Sequence, residues 1–209
     1  MRQFNVFLFV RNNTKGDVVS ATEAEIILEL AIDRGALTFG EFRLSAGGTS
    51  SYYFDGRIVT LDPAGSYHVA RAFLPMLREC GADAIAGPTL GADPIVAAVA
   101  LLSHQDGDGA SIPGLIVRKE AKEHGGKRAI EGTVVPGSRI AVVDDACSTG
   151  GSLFHAIDAV EDAGCEVVKV LAIIDRHQGG SAELRRRGYD FTALLEADAD
   201  GNVRPVSRD

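Results

Sequence analysis

Apolar residues recur at helical spacing over residues 22–34 (TEAEIILELAIDR), behind Thr22, with Glu25 three positions on. That is the spacing of a capping box, so a helix is predicted here, and Gly35 is placed to end it. From Ser51 to Leu61, aromatic and β-branched residues predict extended chain. Pro63 then suits the first turn of a helix running to about Glu79. Beyond that point short apolar runs alternate with amphipathic ones. Strands are predicted at Asp83–Ala86, Leu115–Val117, Arg139–Val143, Glu166–Ile174 and Tyr189–Leu195, and helices at Ala92–Ser103, Ser152–Ala163 and Ala182–Arg187. Strands alternating with helices predict an α/β fold around a mainly parallel sheet.

The breaks in this rhythm are informative too. Gln105–Ser111 is a turn-rich connector, and the tail after Ala197 is polar and predicted to be loose. Glu120–Val135 has no apolar periodicity and is predicted to be a long mobile loop, a length that usually signals function. Phe4–Val10 is apolar but short, and no small-residue cleavage site follows. It reads as a strand, or as translation from a misassigned start, rather than as a signal peptide.

Composition narrows the classes. The chain has 209 residues, enough for one domain with a real core. No apolar run approaches the ~18 residues of a membrane span. Cys80, Cys147 and Cys165 are widely separated and form no metal-ligand spacing, which points to a reducing, cytoplasmic setting. A net charge of −8 argues against a nucleic-acid partner. Yet Arg118, Lys119, Lys122, Lys127 and Arg128, with His124, crowd into one short segment. An acidic chain with one dense basic segment suggests a small polyanionic ligand.

The most informative stretch is Ile140–Ser152, IAVVDDACSTGGS. An apolar strand ends in Asp144 and Asp145, followed by a hydroxyl- and glycine-rich loop and then a helix. Ligands of open parallel sheets bind beyond the carboxyl ends of strands, where two carboxylates can accept hydrogen bonds from ribose hydroxyls. Ser148, Thr149, Gly150, Gly151 and Ser152 can offer backbone N–H groups, hydroxyls and a helix N-terminus to a phosphate. The stretch is neither a Walker A loop nor a dinucleotide-binding turn.

Residues 140–152 resemble the 5-phosphoribosyl-1-pyrophosphate (PRPP) motif of type I phosphoribosyltransferases. The resemblance implies that Asp144 and Asp145 hold the ribose hydroxyls while Ala146, Cys147, Ser148, Thr149, Gly150, Gly151 and Ser152 cradle the 5-phosphate. Ala146, Cys147 and Ser148 depart from the usual residues, although Ser148 keeps a hydroxyl. Val117–Gly132 (VRKEAKEHGGKRAIEG) resembles the catalytic loop of orotate phosphoribosyltransferases. By that likeness Arg118, Lys119, Lys122 and His124 bind PRPP, with Lys122, Asp145, Lys119 and His124 catalytic. The loop, about residues 118–132, is expected to close over the neighbouring active site of a homodimer.

Gly87–Pro94 (GPTLGADP) resembles the family turn that approaches the pyrophosphate. Ser51–Pro63 resembles the substrate-hood segment, with Tyr53 and Phe54 near the pyrimidine. Arg176 is implied to bind orotate, with Ser148 beside it. A type I phosphoribosyltransferase fold follows as the expectation: a single domain over 1–209, with a core at about 63–176. A small N-terminal hood is expected from about 22–62 plus the C-terminal part. The implied cofactor is Mg²⁺, held mainly through PRPP, with Asp144 or Asp145 reaching it through water. Gly48 stands where the family pattern has a basic residue, which bears on base choice. The expected activity is conversion of orotate and PRPP to orotidine 5-monophosphate and pyrophosphate, in pyrimidine biosynthesis. Two alternatives are a phosphoribosyltransferase for another base and a PRPP-sensing regulator on the same fold.

Overall fold

The computed structural model describes residues 11–12, 18–19, 21–43, 49–107, 109–119 and 129–207. The strand proposed at Phe4–Val10 lies outside them. Two short strands, β1 (Arg11–Asn12) and β2 (Val18–Val19), pair antiparallel ahead of α1 (Glu23–Asp33). The Thr22 side chain accepts from the Glu25 N–H, and the Glu25 carboxylate accepts from the Thr22 N–H at 2.9 Å, so the capping box forms. The helix stops at Arg34, and Gly35 turns the chain at φ +72°.

An antiparallel pair follows, β3 (Leu37–Arg43) and β4 (Thr49–Phe54). The extended chain expected over Ser51–Leu61 holds only as far as Phe54. Asp55 accepts from the Arg57 N–H and starts a short helix, α2 (Gly56–Thr60). A good N-cap outweighs the modest helix penalty of Ile58 and Val59, which is why the β-branched residues misled. Asp62 caps α3 (Pro63–Glu79) through the N–H groups of Ala64 and Gly65, with Pro63 in the first turn as expected.

The remaining elements are β5 (Ala84–Pro88), α4 (Asp93–Asp106), β6 (Gly114–Val117), β7 (Ile130–Glu131), β8 (Arg139–Cys147), α5 (Gly151–Asp162), β9 (Glu166–Asp175), α6 (Gly180–Arg186), β10 (Phe191–Ala197) and β11 (Val203–Pro205). One seven-stranded sheet has the order β11-β10-β9-β8-β5-β6-β7. The five inner strands run parallel, and β7 and β11 are antiparallel edges. Both edges correct the sequence reading. Ile130, expected in a mobile loop, is buried opposite Val117, and the polar tail returns to pair Val203–Pro205 with β10. Strands of two or three residues are too short to show a period, so edge pairing decided both.

The apolar run of β8 reads as continuous because the sheet is covered on both faces. Ile140 and Val142 enter one core with Leu153 and Ile157 of α5. Ala141 and Val143 enter the other with Phe73 and Leu77 of α3.

Candidate active site

The chain leaves β5 for β6 on one side of the sheet, while β8, β9 and β10 follow on the other. The connections beyond β5 and β8 therefore diverge, opening a crevice at the carboxyl ends of these strands. A cleft of about 310 Å³ lies there. Its walls are Asp144, Asp145 and Ala146 from β8, the Thr89–Gly91 turn after β5, and Tyr53 to Asp55 with Arg57 from β4 and α2. Lys119, Ser152 and Arg176 also face it. Residues from five separate stretches singled out above thus meet in one place.

The acid pair sits in a slot between two glycine backbones. A Cβ at Gly56 would lie 2.6 Å from the Asp145 Cβ, and one at Gly91 would lie 2.9 Å from both Asp144 Oδ1 and Asp145 Oδ1. Asp144 is 5% exposed; it accepts from Ser152 Oγ at 2.5 Å and from the Asp145 N–H at 2.9 Å. Burial, and then the charge of Asp145, push the Asp144 carboxyl up to about 7. Burial raises Asp145 as well. Two crowded carboxylates in a dry slot favour a ligand that brings hydroxyl donors or a cation. No cluster of three metal-ligating side chains occurs among the described residues. Two carboxylate oxygen donors suit a hard cation such as Mg²⁺, provided that it keeps its waters and takes most of its oxygens from a substrate.

The Ser148–Gly151 loop leads into α5, whose N-cap is Gly150 at φ +81° with no side chain capping it. Its first-turn N–H groups are thus left for an anion. Thr149, Gly151 and Ser152 are exposed and Ser148 is half-buried. The loop is braced from behind by Gly180, which the sequence reading missed. The Gly180 N–H donates to the Ser148 carbonyl at 2.9 Å, and a Cβ there would lie 2.5 Å from the Gly150 nitrogen. The only available signal was the Gly179–Gly180 pair just past a strand. The Cys147 side chain is fully buried, facing the core rather than the cleft, and burial pushes its thiol up to about 12. It is no nucleophile. Its carbonyl accepts from the Arg176 N–H at 2.9 Å, tying the loop's start to the end of β9.

On the opposite wall Arg176 Nη2 donates to the Phe54 carbonyl at 2.9 Å, and its guanidinium lies 5.8 Å from the centre of the Tyr52 ring. Its Nε is buried without a partner. Phe54 is buried and Tyr53 is exposed at the cleft. Arg118 turns to Glu131 at 3.1 Å, and its carbonyl accepts from His155 Nε2 at 2.8 Å. Lys122, His124 and Gly48 lie outside the described residues. Asp55 and Arg57, which face the cleft, were not singled out from sequence. Only their place in the Tyr53–Phe54 segment hinted at them.

Residues 68–208 match the family model for the Phosphoribosyl transferase domain, the class that the fold and the cleft define. An orotate phosphoribosyltransferase of Aquifex aeolicus (strain VF5) is 41% identical over 155 residues, 74% of this chain and 84% of that protein. One from Pyrococcus abyssi (strain GE5 / Orsay) is 34% identical, with 88% of this chain and 99% of that protein covered. Among solved structures, Mycobacterium tuberculosis H37Rv orotate phosphoribosyltransferase in complex with PRPP superposes with a TM-score of 0.66 at 30% identity. That match covers 83% of this chain and 95% of that one. The chain belongs to the phosphoribosyltransferase family, in its orotate phosphoribosyltransferase branch.

Proposed function

We infer that this chain transfers the phosphoribosyl group of PRPP to orotate, giving orotidine 5-monophosphate and pyrophosphate in pyrimidine biosynthesis. The observation that carries the choice of base is Arg176. Arg176 lines the same cleft as the acid pair, and its buried Nε has no partner among the described residues. A planar, carboxylate-bearing ring is what such a fork of donors recognises.

In this reading the ring enters beside Tyr53 and Phe54. The ribose hydroxyls meet Asp144 and Asp145, and the 5-phosphate rests on the Ser148–Ser152 N–H groups. Orotate is already anionic, so its N1 attacks C1 of the ribose as the bond from C1 to pyrophosphate breaks. The chain contributes orientation and charge stabilisation rather than a covalent nucleophile. Asp144 or Asp145 would hold Mg²⁺ through water if it is bound with PRPP, and the ion would supply positive charge for the leaving pyrophosphate. Lys119, with Lys122 and His124 of the loop, meets the charge that builds on the departing pyrophosphate. The loop is supplied by the second subunit of a homodimer, and the exposed apolar Phe39, Ile58 and Leu61 support a paired state. Three free cysteines fit a cytoplasmic setting.

The test is loss of orotate absorbance with purified protein, PRPP and Mg²⁺. Loss that needs all three components is expected. Binding of PRPP with no loss of orotate, and turnover of a different base, would overturn the choice of orotate while keeping the site.

A further inference from the structure

We propose that Arg57 is a pyrophosphate-binding residue of this active site, aimed by Asp55 in the cleft that the acid pair lines. The inference rests on the reading of the cleft as a PRPP site, and assigns a cation that the sequence motifs did not supply.

Arg57 faces the cleft together with Asp145 and Lys119. Its Nε and Nη2 each donate to an oxygen of Asp55 at 2.9 Å, a two-point grip that fixes the plane of the guanidinium. Nη1 makes no hydrogen bond among the described residues. Asp55 also caps α2 through the Arg57 N–H, so one carboxylate sets both the backbone and the side chain. Between them, Gly56 presses onto Asp145 so closely that a Cβ would not fit. The start of α2, and with it the Arg57 backbone, is thereby seated against Asp145, and Asp55 orients the partly exposed guanidinium.

Three described cations face the cleft. Arg176 is occupied by the Phe54 carbonyl and the Tyr52 ring on the base side. The 5-phosphate end is served by backbone N–H groups of the Ser148–Ser152 loop. Arg57 and Lys119 remain for the most highly charged part of the substrate, its diphosphate. The sequence of residues 44–48 (LSAGG) holds no basic residue, whereas Arg57 is a cation that lines the cleft. A fixed guanidinium with a free edge suits a diphosphate, whose oxygens accept charge-assisted hydrogen bonds.

The test compares the parent protein with Arg57→Gln and Arg57→Lys, each first checked for an unchanged melting transition. PRPP and pyrophosphate binding are measured by calorimetry with Mg²⁺, and KM is measured for PRPP and orotate. For Arg57→Gln, weaker binding of both PRPP and pyrophosphate by about tenfold is expected, with the KM for orotate within about twofold, as for loss of one charged contact. Arg57→Lys keeps the charge but not the fork and should recover part of the loss. Asp55→Asn, which keeps the cap and one hydrogen bond to the guanidinium but loses the second and the charge, should fall between. Unchanged pyrophosphate affinity in Arg57→Gln overturns the assignment, and a raised KM for orotate alone reassigns Arg57 to the base. Failure of the parent to consume orotate would strike the choice of base instead, since the calorimetric comparison does not depend on it.

Discussion

At the scale of single residues, the cleft is built against the stability of the empty fold. Asp144 is buried beside Asp145, and its carboxyl is raised from 3.8 to about 7. Between those two values the folded chain holds a proton that the unfolded chain has lost. This site alone therefore favours folding on the acid side, and the advantage fades as pH rises through about 7. Asp144→Asn removes a buried charge; its amide oxygen can accept from the Asp145 N–H while its NH2 donates to the Ser152 hydroxyl oxygen. The variant should melt about 2–4 °C above the parent at pH 8, the size of a gain near 1 kcal/mol. The difference should vanish near pH 4, while PRPP binding is lost. Scanning calorimetry at the two pH values checks it, and a variant less stable than the parent at pH 8 would contradict it. The same burial has a different consequence at Cys147. A thiol raised to about 12 stays protonated, so the residue serves the loop through its carbonyl alone.

At the scale of elements, the phosphate loop depends on a neighbour distant in sequence. α6 begins with Gly180 lying directly against the backbone of Ser148 to Gly150. The need here is for close approach: a methyl group at 180 would meet backbone atoms at 2.5 and 2.7 Å. Gly180→Ala should cost about 1–3 kcal/mol of stability through overpacking. It should also weaken PRPP binding more than orotate binding, because the atoms displaced belong to the phosphate loop. Equal effects on the two ligands, read by calorimetry, would detach α6 from the loop. Other elements were legible locally. The Thr22–Glu25 capping box and Pro63 in the first turn of α3 are contacts within three or four residues, so sequence spacing is their geometry. α2 was misread because its β-branched residues favour strand, and the cap at Asp55 outweighed them.

At the scale of the whole molecule, the proposed homodimer makes a prediction that a monomer cannot meet. Lys122→Ala and Arg176→Ala should each be inactive, one lacking the lysine proposed for the loop and the other the arginine proposed to bind the base. If the loop closes over its partner's cleft, a mixed dimer has one site with both residues intact. Mixing the two variants should then restore up to about a quarter of parent activity, the statistical share for a symmetric dimer. Reassembly without recovery would place the loop over its own cleft.

What the sequence determined by itself was whatever is short in range. The alternation of strands and helices, the capping residues, and the passage from an apolar strand through Asp144 and Asp145 into a glycine-rich loop are all set by neighbours a few positions apart. The motifs pointed to the acid pair, the phosphate loop and Arg176 before any contact was visible. Only the tertiary structure decided which distant segments close the site. Arg57 lies nearly ninety residues from Asp145, and Gly180 about thirty from Gly150. Their importance comes from sheet order and from glycine backbones packed too tightly for a side chain. The edges β7 and β11 belong to the same group, since pairing of two or three residues depends on an open strand beside them. Packing between distant segments leaves no period in the sequence, and so it had to be seen.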